Sequence, residues 1–241
     1  MNQITSSNQT DSLGQTKDKA INTQPTASVS SVVTTKMLYN NRGAIRIKAF
    51  GNNQVGSPSE GTCSAVATCL GLTYLDSLNS NVLLSGYTPE KLVSADFKAG
   101  LYPQAIKLHN LMSQTYGMGP LSWADGIVDP LNRYKNSSST IKNTGLSLNW
   151  FLFASSAYVR EQIDKGYPAM MTTFLADGYN FHTMLIYGYR KLSDGDYEYC
   201  VHPGWYGAPY ILSSSTTEPV VALKCVPASF AKYSYKLSIN N

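Results

Sequence analysis

The sequence predicts an α+β protein, with helices in its first and middle thirds and an antiparallel sheet in its last. Two observations carry this. The stretch "TCSAVATCLGLTYL" is apolar on nearly every side and has no charged face, which marks a buried central helix. From Pro168 on, "PAMMTTFL", "FHTMLIYGYR", "DYEYCVHP" and "VVALKCV" are short apolar or alternating runs. The turn-rich segments "ADGYN", "KLSDGD" and "PGWYGAP" separate them, as in a meander of strands. Helices before strands imply two halves with a cleft between them.

Along the chain, residues 1–30 are rich in Ser, Thr, Asn and Gln and hold almost no large apolar side chain. Such a segment cannot bury enough surface to fold alone, so it is expected to be a disordered leader or the remnant of a pro-segment. One domain is expected over 31–241, with order beginning near Val32. "AIRIKAF" (Ala44 to Phe50) alternates apolar and basic residues and predicts a half-buried strand. "GNNQVGSPSEG" is a loop by composition. The central helix follows, with Ser59 or Thr62 as its cap and Glu60 near its positive end. In the middle third, "PEKLVSADF", "PQAIKLHNLMSQTYG" and "DGIVDPLNRYK" read as helical. Within "NWFLFASSAYVREQIDKGYP" a helix is expected from about Ser156 to Lys165, ended by Gly166 and Pro168.

Composition excludes several function classes. The 241 residues suffice for a sizeable core. Only 14% are charged, so Ser, Thr, Asn and the 17 tyrosines must supply much of the polar surface, a balance that leans towards an exported protein. The 19 basic residues are scattered and the net charge is +4, so there is no electrostatic footprint for nucleic acid. No apolar run approaches the roughly 20 residues of a membrane span, and the N-terminus has no apolar core of a signal peptide. The four cysteines, Cys63, Cys69, Cys200 and Cys225, have no CxxC spacing, which argues against a zinc site. Cys200 and Cys225 each lie in a strand-like run. Two readings stay open for them: a disulfide, or a pair of buried free thiols.

The candidate chemistry starts at Cys63. A cysteine at a helix N-terminus lies at the positive end of the macrodipole, which favours the nucleophilic thiolate. Cys69 is one and a half turns further on and projects from the opposite side, as core. A thiolate nucleophile needs a base, and the chain holds three histidines. His109 falls in an amphipathic helix next to Asn110 and reads as a surface or groove residue, with substrate contact from the helical half as its alternative. His182 opens a strand directly after a turn, where its ring can project into a cleft. His202 ends the next strand, and antiparallel pairing brings those two strand ends together.

In order, "GTCSAVATCLGLTYLD", "KGYPAMMTTF", "FHTMLIYGYRK" and "YEYCVHPGWYG" resemble the blocks of the papain-like cysteine peptidases. The resemblance runs from about Gln54 to Gly207 and is nearer to the bacterial exported branches, streptopain-like and bacteriocin-processing-like. It implies a papain-like two-lobed fold. The helical lobe would carry Cys63 on its central helix, and the sheet lobe would carry His182. It implies Cys63 as nucleophile and His182 as general base and acid, acting on a peptide carbonyl through a thioester. Trp205 matches the tryptophan that shields the orienting hydrogen bond. The backbone N–H of Cys63 and a side-chain amide, Gln54 first and Asn52 or Asn53 behind it, would form the oxyanion hole. The block "VHPGW" departs from the family, placing His202 where Asn or Asp is usual. A neutral imidazole accepts a hydrogen bond, so His202 is expected to orient His182, with Asp194 or Asp196 as fallback. The resulting expectation is a monomeric, exported cysteine endopeptidase that acts on a peptide or protein and needs no cofactor. Its alternatives are an acyltransferase or transamidase on the same fold, and a binding module that has lost catalysis.

Overall fold

The computed structural model describes residues 31–38, 63–78, 82–84, 103–119, 124–152, 156–174, 181–204 and 225–239. The expected leader 1–30, the strand at Ala44 to Phe50 and the helix in "PEKLVSADF" lie outside the described residues, as do Asn52, Asn53, Gln54, Ser59, Glu60, Thr62 and Trp205.

The fold is α+β. Strand β1 (Val32–Met37) comes first, followed by helix α1 (Cys63–Leu78). Helix α2 (Pro103–Asn110) runs straight into one π-helical turn, Leu111–Thr115. Helices α3 (Ala124–Lys135) and α4 (Ser139–Asn143) complete the helical part, and β2 (Ser147–Leu152) leads into α5 (Ser156–Asp164). The sheet then fills with β3 (Ala169–Thr173), β4 (Thr183–Leu192), β5 (Tyr197–His202), the short β6 (Cys225–Pro227) and β7 (Ala231–Ser238). The strand order is β2-β7-β3-β4-β5-β6, and every pair is antiparallel. Strand β4 is long enough to take two partners on one side. Its first half pairs with β3 (Ala169↔Ile186) and its second half with β1 (Met37↔Gly188).

Three strands, β1, β2 and β7, escape the sequence reading. Strand β7 alternates apolar and polar residues, with Ala231, Tyr233, Tyr235 and Leu237 buried and Lys232, Lys236 and Ser238 half-buried; Ser234 is buried as well. The residues "SLNWFL" form edge strand β2, ahead of the helix expected from Ser156.

Helix α1 is the centre of the core. From Cys63 to Asp76 every residue is buried, as a helix without a charged face must be. It packs on the sheet at Gly71, where an added Cβ would stand 2.7 Å from Leu237 Cδ2. The missing side chain lets helix and sheet approach closely. Polar tips at the far end fix the helix to its surroundings. The Asp76 carboxylate accepts the Leu84 N–H at 2.7 Å, and the Tyr74 hydroxyl donates to the Gly166 carbonyl at 3.1 Å.

Candidate active site

Cys63 is the first residue of α1 and is 6% exposed. Its backbone therefore lies in the turn whose N–H groups have no acceptor within the helix. The thiol faces the start of β4. Burial alone would raise its pKa, but the hydrogen bond and charge of His182 act the other way. With the Thr183 N–H and the Ser64 hydroxyl added, the balance holds the thiol below its ordinary range. Cys69, on the same helix, has only burial acting on it, and its thiol is pushed far up. Two cysteines six positions apart are thus opposite in kind, as expected: one poised to ionise, the other core.

His182 is held at both main-chain groups by one residue of the neighbouring strand. The Thr173 N–H donates to the His182 carbonyl at 2.8 Å, and the His182 N–H donates to Thr173 Oγ1 at 3.3 Å. The residue before it, Phe181, has φ of +50°, an uncommon conformation for a large side chain. This backbone swings the chain into β4 so that the 4%-exposed His182 ring is turned inward.

The ring's far nitrogen has a main-chain partner. His182 Nε2 lies 2.5 Å from the Pro203 carbonyl oxygen. A carbonyl only accepts, so Nε2 carries the proton and donates it. The other ring nitrogen, Nδ1, is then the one left to serve the thiol.

The place expected for His202 at His182 Nε2 is thus taken by a peptide carbonyl. His202 acts one step further out. It ends β5 in register with Leu185, and its Nδ1 accepts the Gly204 N–H at 2.9 Å. That bond closes the Pro203–Gly204 turn which presents the carbonyl. Gly204 has φ of +78°, in the left-handed region, and an added Cβ would stand 3.2 Å from Val66 on α1. A glycine here satisfies both the turn and the close approach to the helix that carries Cys63. Asp194, a fallback orienter, is committed to the β4–β5 turn, where its carboxylate accepts the Asp196 N–H at 2.9 Å.

Beneath the thiol runs a chain of hydroxyls that the sequence did not single out. Ser64 Oγ meets Thr183 Oγ1 at 3.1 Å, Thr183 Oγ1 meets Thr172 Oγ1 at 2.9 Å, and Thr172 donates to the Tyr235 hydroxyl at 3.3 Å. It joins α1 to β4, β3 and β7. The Tyr235 pKa is pushed up to about 12, chiefly by burial, and a Cys63 thiolate adds to the shift.

His109 departs from its expected surface position and is 3% exposed. Its neighbours explain why: Ala105, Leu108, His109 and Met112 are all buried, the i, i+3, i+4, i+7 stripe of one helix face. Burial lowers its pKa, and the chain's continuation into the π-helical turn is held by Ser113 Oγ donating to its carbonyl at 2.9 Å. Of the two readings for Cys200 and Cys225, the structure has the second, two buried free thiols. Among the described residues no group of three or more His, Cys, Asp or Glu side chains is arranged to hold a metal ion. No helix there is long and apolar enough to cross a membrane.

No protein-family model matches the chain, and no curated protein matches it. Solved structures do. The chain is similar to the proform of the Amb a 11 cysteine protease, a ragweed pollen allergen, at 13% identity and a TM-score of 0.38, over 89% of this chain and 67% of that one. It is similar to UfSP from C. elegans at 16% identity and a TM-score of 0.41, over 89% of this chain and 35% of that one, so it spans about a third of that protein's length. It is also similar to the bromelain protease from Ananas comosus, at 12% identity and a TM-score of 0.37, over 87% of this chain and 100% of that one. Residue roles rest on the geometry of this chain itself.

Proposed function

We propose that the protein is a cysteine peptidase of the papain-like kind, with Cys63 as nucleophile and His182 as general base and acid. One observation carries the reading: a thiol at the start of a buried helix is held below its ordinary range by a histidine whose far nitrogen is bonded to a carbonyl. That arrangement supplies an ionised sulfur, an adjacent proton carrier and a fixed ring orientation, the parts a thiol nucleophile needs.

In the proposed reaction the Cys63 sulfur attacks a peptide carbonyl carbon. The oxyanion forms beside the start of α1, where the Cys63 N–H and the helix dipole favour negative charge. Gln54, outside the described residues, remains the proposed second donor. His182 gives its Nδ1 proton to the leaving amine and then takes one from the water that cleaves the thioester. Throughout, the Pro203 carbonyl accepts from Nε2 and fixes the ring's orientation. A carbonyl stabilises an imidazolium less than a carboxylate does, because it carries only a partial charge. The histidine at 202 loses its force as an argument for a binding module, since Nε2 has an acceptor without it. Assignment to the exported bacterial branches, and export itself, follow only the order of the sequence blocks and the low charge.

The test is hydrolysis of a fluorogenic peptide library by the full chain. Cleavage that falls about 10³-fold or more in both Cys63→Ala and His182→Ala is the expected result. Cleavage that survives Cys63→Ala assigns the activity to another group and sinks the proposal.

A further inference from the structure

Cys200 and Cys225 play no part in the proposed reaction, yet they are placed together. They face each other in register across β5 and β6, with their sulfurs 3.5 Å apart. We propose that this pair is a modification site, a dithiol that closes to a disulfide on exchange with a low-molecular-weight disulfide such as oxidised glutathione. The inference goes beyond the peptidase reading and does not depend on it.

Geometry permits the bond. A disulfide needs its sulfurs about 2.05 Å apart and joins Cα atoms separated by about 4.4–6.8 Å. Directly opposed residues of an antiparallel pair have Cα atoms about 4.5–5.5 Å apart. Side-chain rotation alone can therefore bring the sulfurs together.

The two thiols are unequal, which sets the order of events. The two sulfurs share a hydrogen bond, and with it the Cys225 thiol lies below its ordinary range and the Cys200 thiol above. The charge of Arg190, which is bonded to the buried Glu198 through Nε at 2.9 Å, further favours a Cys225 thiolate. Cys225 is therefore the attacking sulfur. Its thiolate displaces one thiolate from the small disulfide and forms a mixed disulfide. Cys200, giving up its proton, then attacks the Cys225 sulfur and releases the second thiolate. In balance, two protein thiols are oxidised to one disulfide. The small disulfide is reduced to two thiols, which take up both protons.

Access comes from the strand itself. Strand β6 has three residues and, among the described strands, pairs only with β5. One of its three ladder positions is Pro227, opposite Glu198, which has no N–H to donate. Local opening of this short strand exposes Cys225. Once formed, the bond joins the two ends of residues 201–224, the stretch that includes Pro203 and Gly204.

The experiment uses the full chain carrying Cys63→Ala, which leaves three of the four cysteines. It is incubated with oxidised glutathione, quenched in acid, unfolded, alkylated and analysed by mass. One alkylated cysteine, Cys69, is expected, with a linked peptide pair containing Cys200 and Cys225 and a mass lower by two hydrogens before alkylation. In Cys200→Ser on the same background, one glutathione should remain on Cys225, because the resolving thiol is gone. Three alkylated cysteines in the parent, or a bond to Cys69, overturns the proposal. So does a Cys200→Ser chain that takes up no glutathione at Cys225.

Discussion

A thiol buried in an apolar helix should resist ionisation, and Cys69, six residues into α1, does. Cys63 differs because three donors converge on its sulfur: the His182 ring, the Thr183 N–H and the Ser64 hydroxyl. Its thiol is an acid with a depressed folded-state pKa, so the thiolate is present above that value and is lost as pH falls through it. The rate of alkylation at Cys63 should therefore fall off at a pH below the ordinary thiol value of about 8.5. In His182→Ala the fall-off should move up, since burial is then opposed only by the two smaller donors. An unmoved midpoint would mean that His182 does not set the thiol. His202 is argued to act through the Gly204 N–H, so its loss should relax the turn and displace the Pro203 carbonyl. His202→Ala should lower kcat by roughly 10–100-fold with KM little changed. His202→Asn, whose amide oxygen can accept the same N–H, should recover part of that loss; equal activity in all three proteins would remove His202 from the account. Cys63 and His182 stand out in the sequence because each has a local signature, a helix start and a strand start, and the structure brings the two side chains together. The Pro203 carbonyl does not stand out, since a main-chain acceptor has no side chain to mark it, and the block "VHPGW" drew attention to the imidazole instead. The hydroxyl chain from Ser64 to Tyr235 was equally hidden among the many serines, threonines and the 17 tyrosines.

Among elements, helix α1 and the β4–β5 pair decide where the site stands. The helix meets the sheet at Gly71 and the turn after β5 at Val66, so each contact has a glycine on one side. Gly71→Val should force a clash with Leu237 and Leu185 and destabilise by about 2 kcal/mol, read as a lower Tm. Gly204→Ala places a Cβ in the left-handed region and against Val66. The strain should cost about 1–2 kcal/mol, and activity should fall further than stability alone explains, because the Pro203 carbonyl moves with the turn. Unchanged activity in a folded Gly204→Ala protein would show that the turn does not position His182. Helix α1 and strands β3, β4 and β5 were readable from apolar runs and turn residues. Strand β7 carries a plain alternation that was passed over, and β2 was left unassigned because "NWFL" is apolar without a turn signal before the expected helix. His109 was misplaced by its polar neighbours Lys107 and Asn110, although its spacing from Ala105 and Met112 puts it on the buried stripe.

For the whole molecule, the order of helices before strands predicted an α+β fold, and the antiparallel seven-stranded sheet with a buried helix against it has that form. The sequence-distant partners meet because β4 is central: His182 directly precedes it, it pairs with β5 towards Pro203, and it receives α1 on its face. The central claim is that this convergence makes Cys63 a reactive nucleophile that depends on His182. The most direct test is competitive labelling of the native full chain with an iodoacetamide probe at pH 6–7, followed by mapping of every cysteine. Fast labelling confined to Cys63, and lost in His182→Ala, is the predicted result. Labelling of Cys63 as slow as that of Cys69, or unaffected by removal of His182, would contradict it.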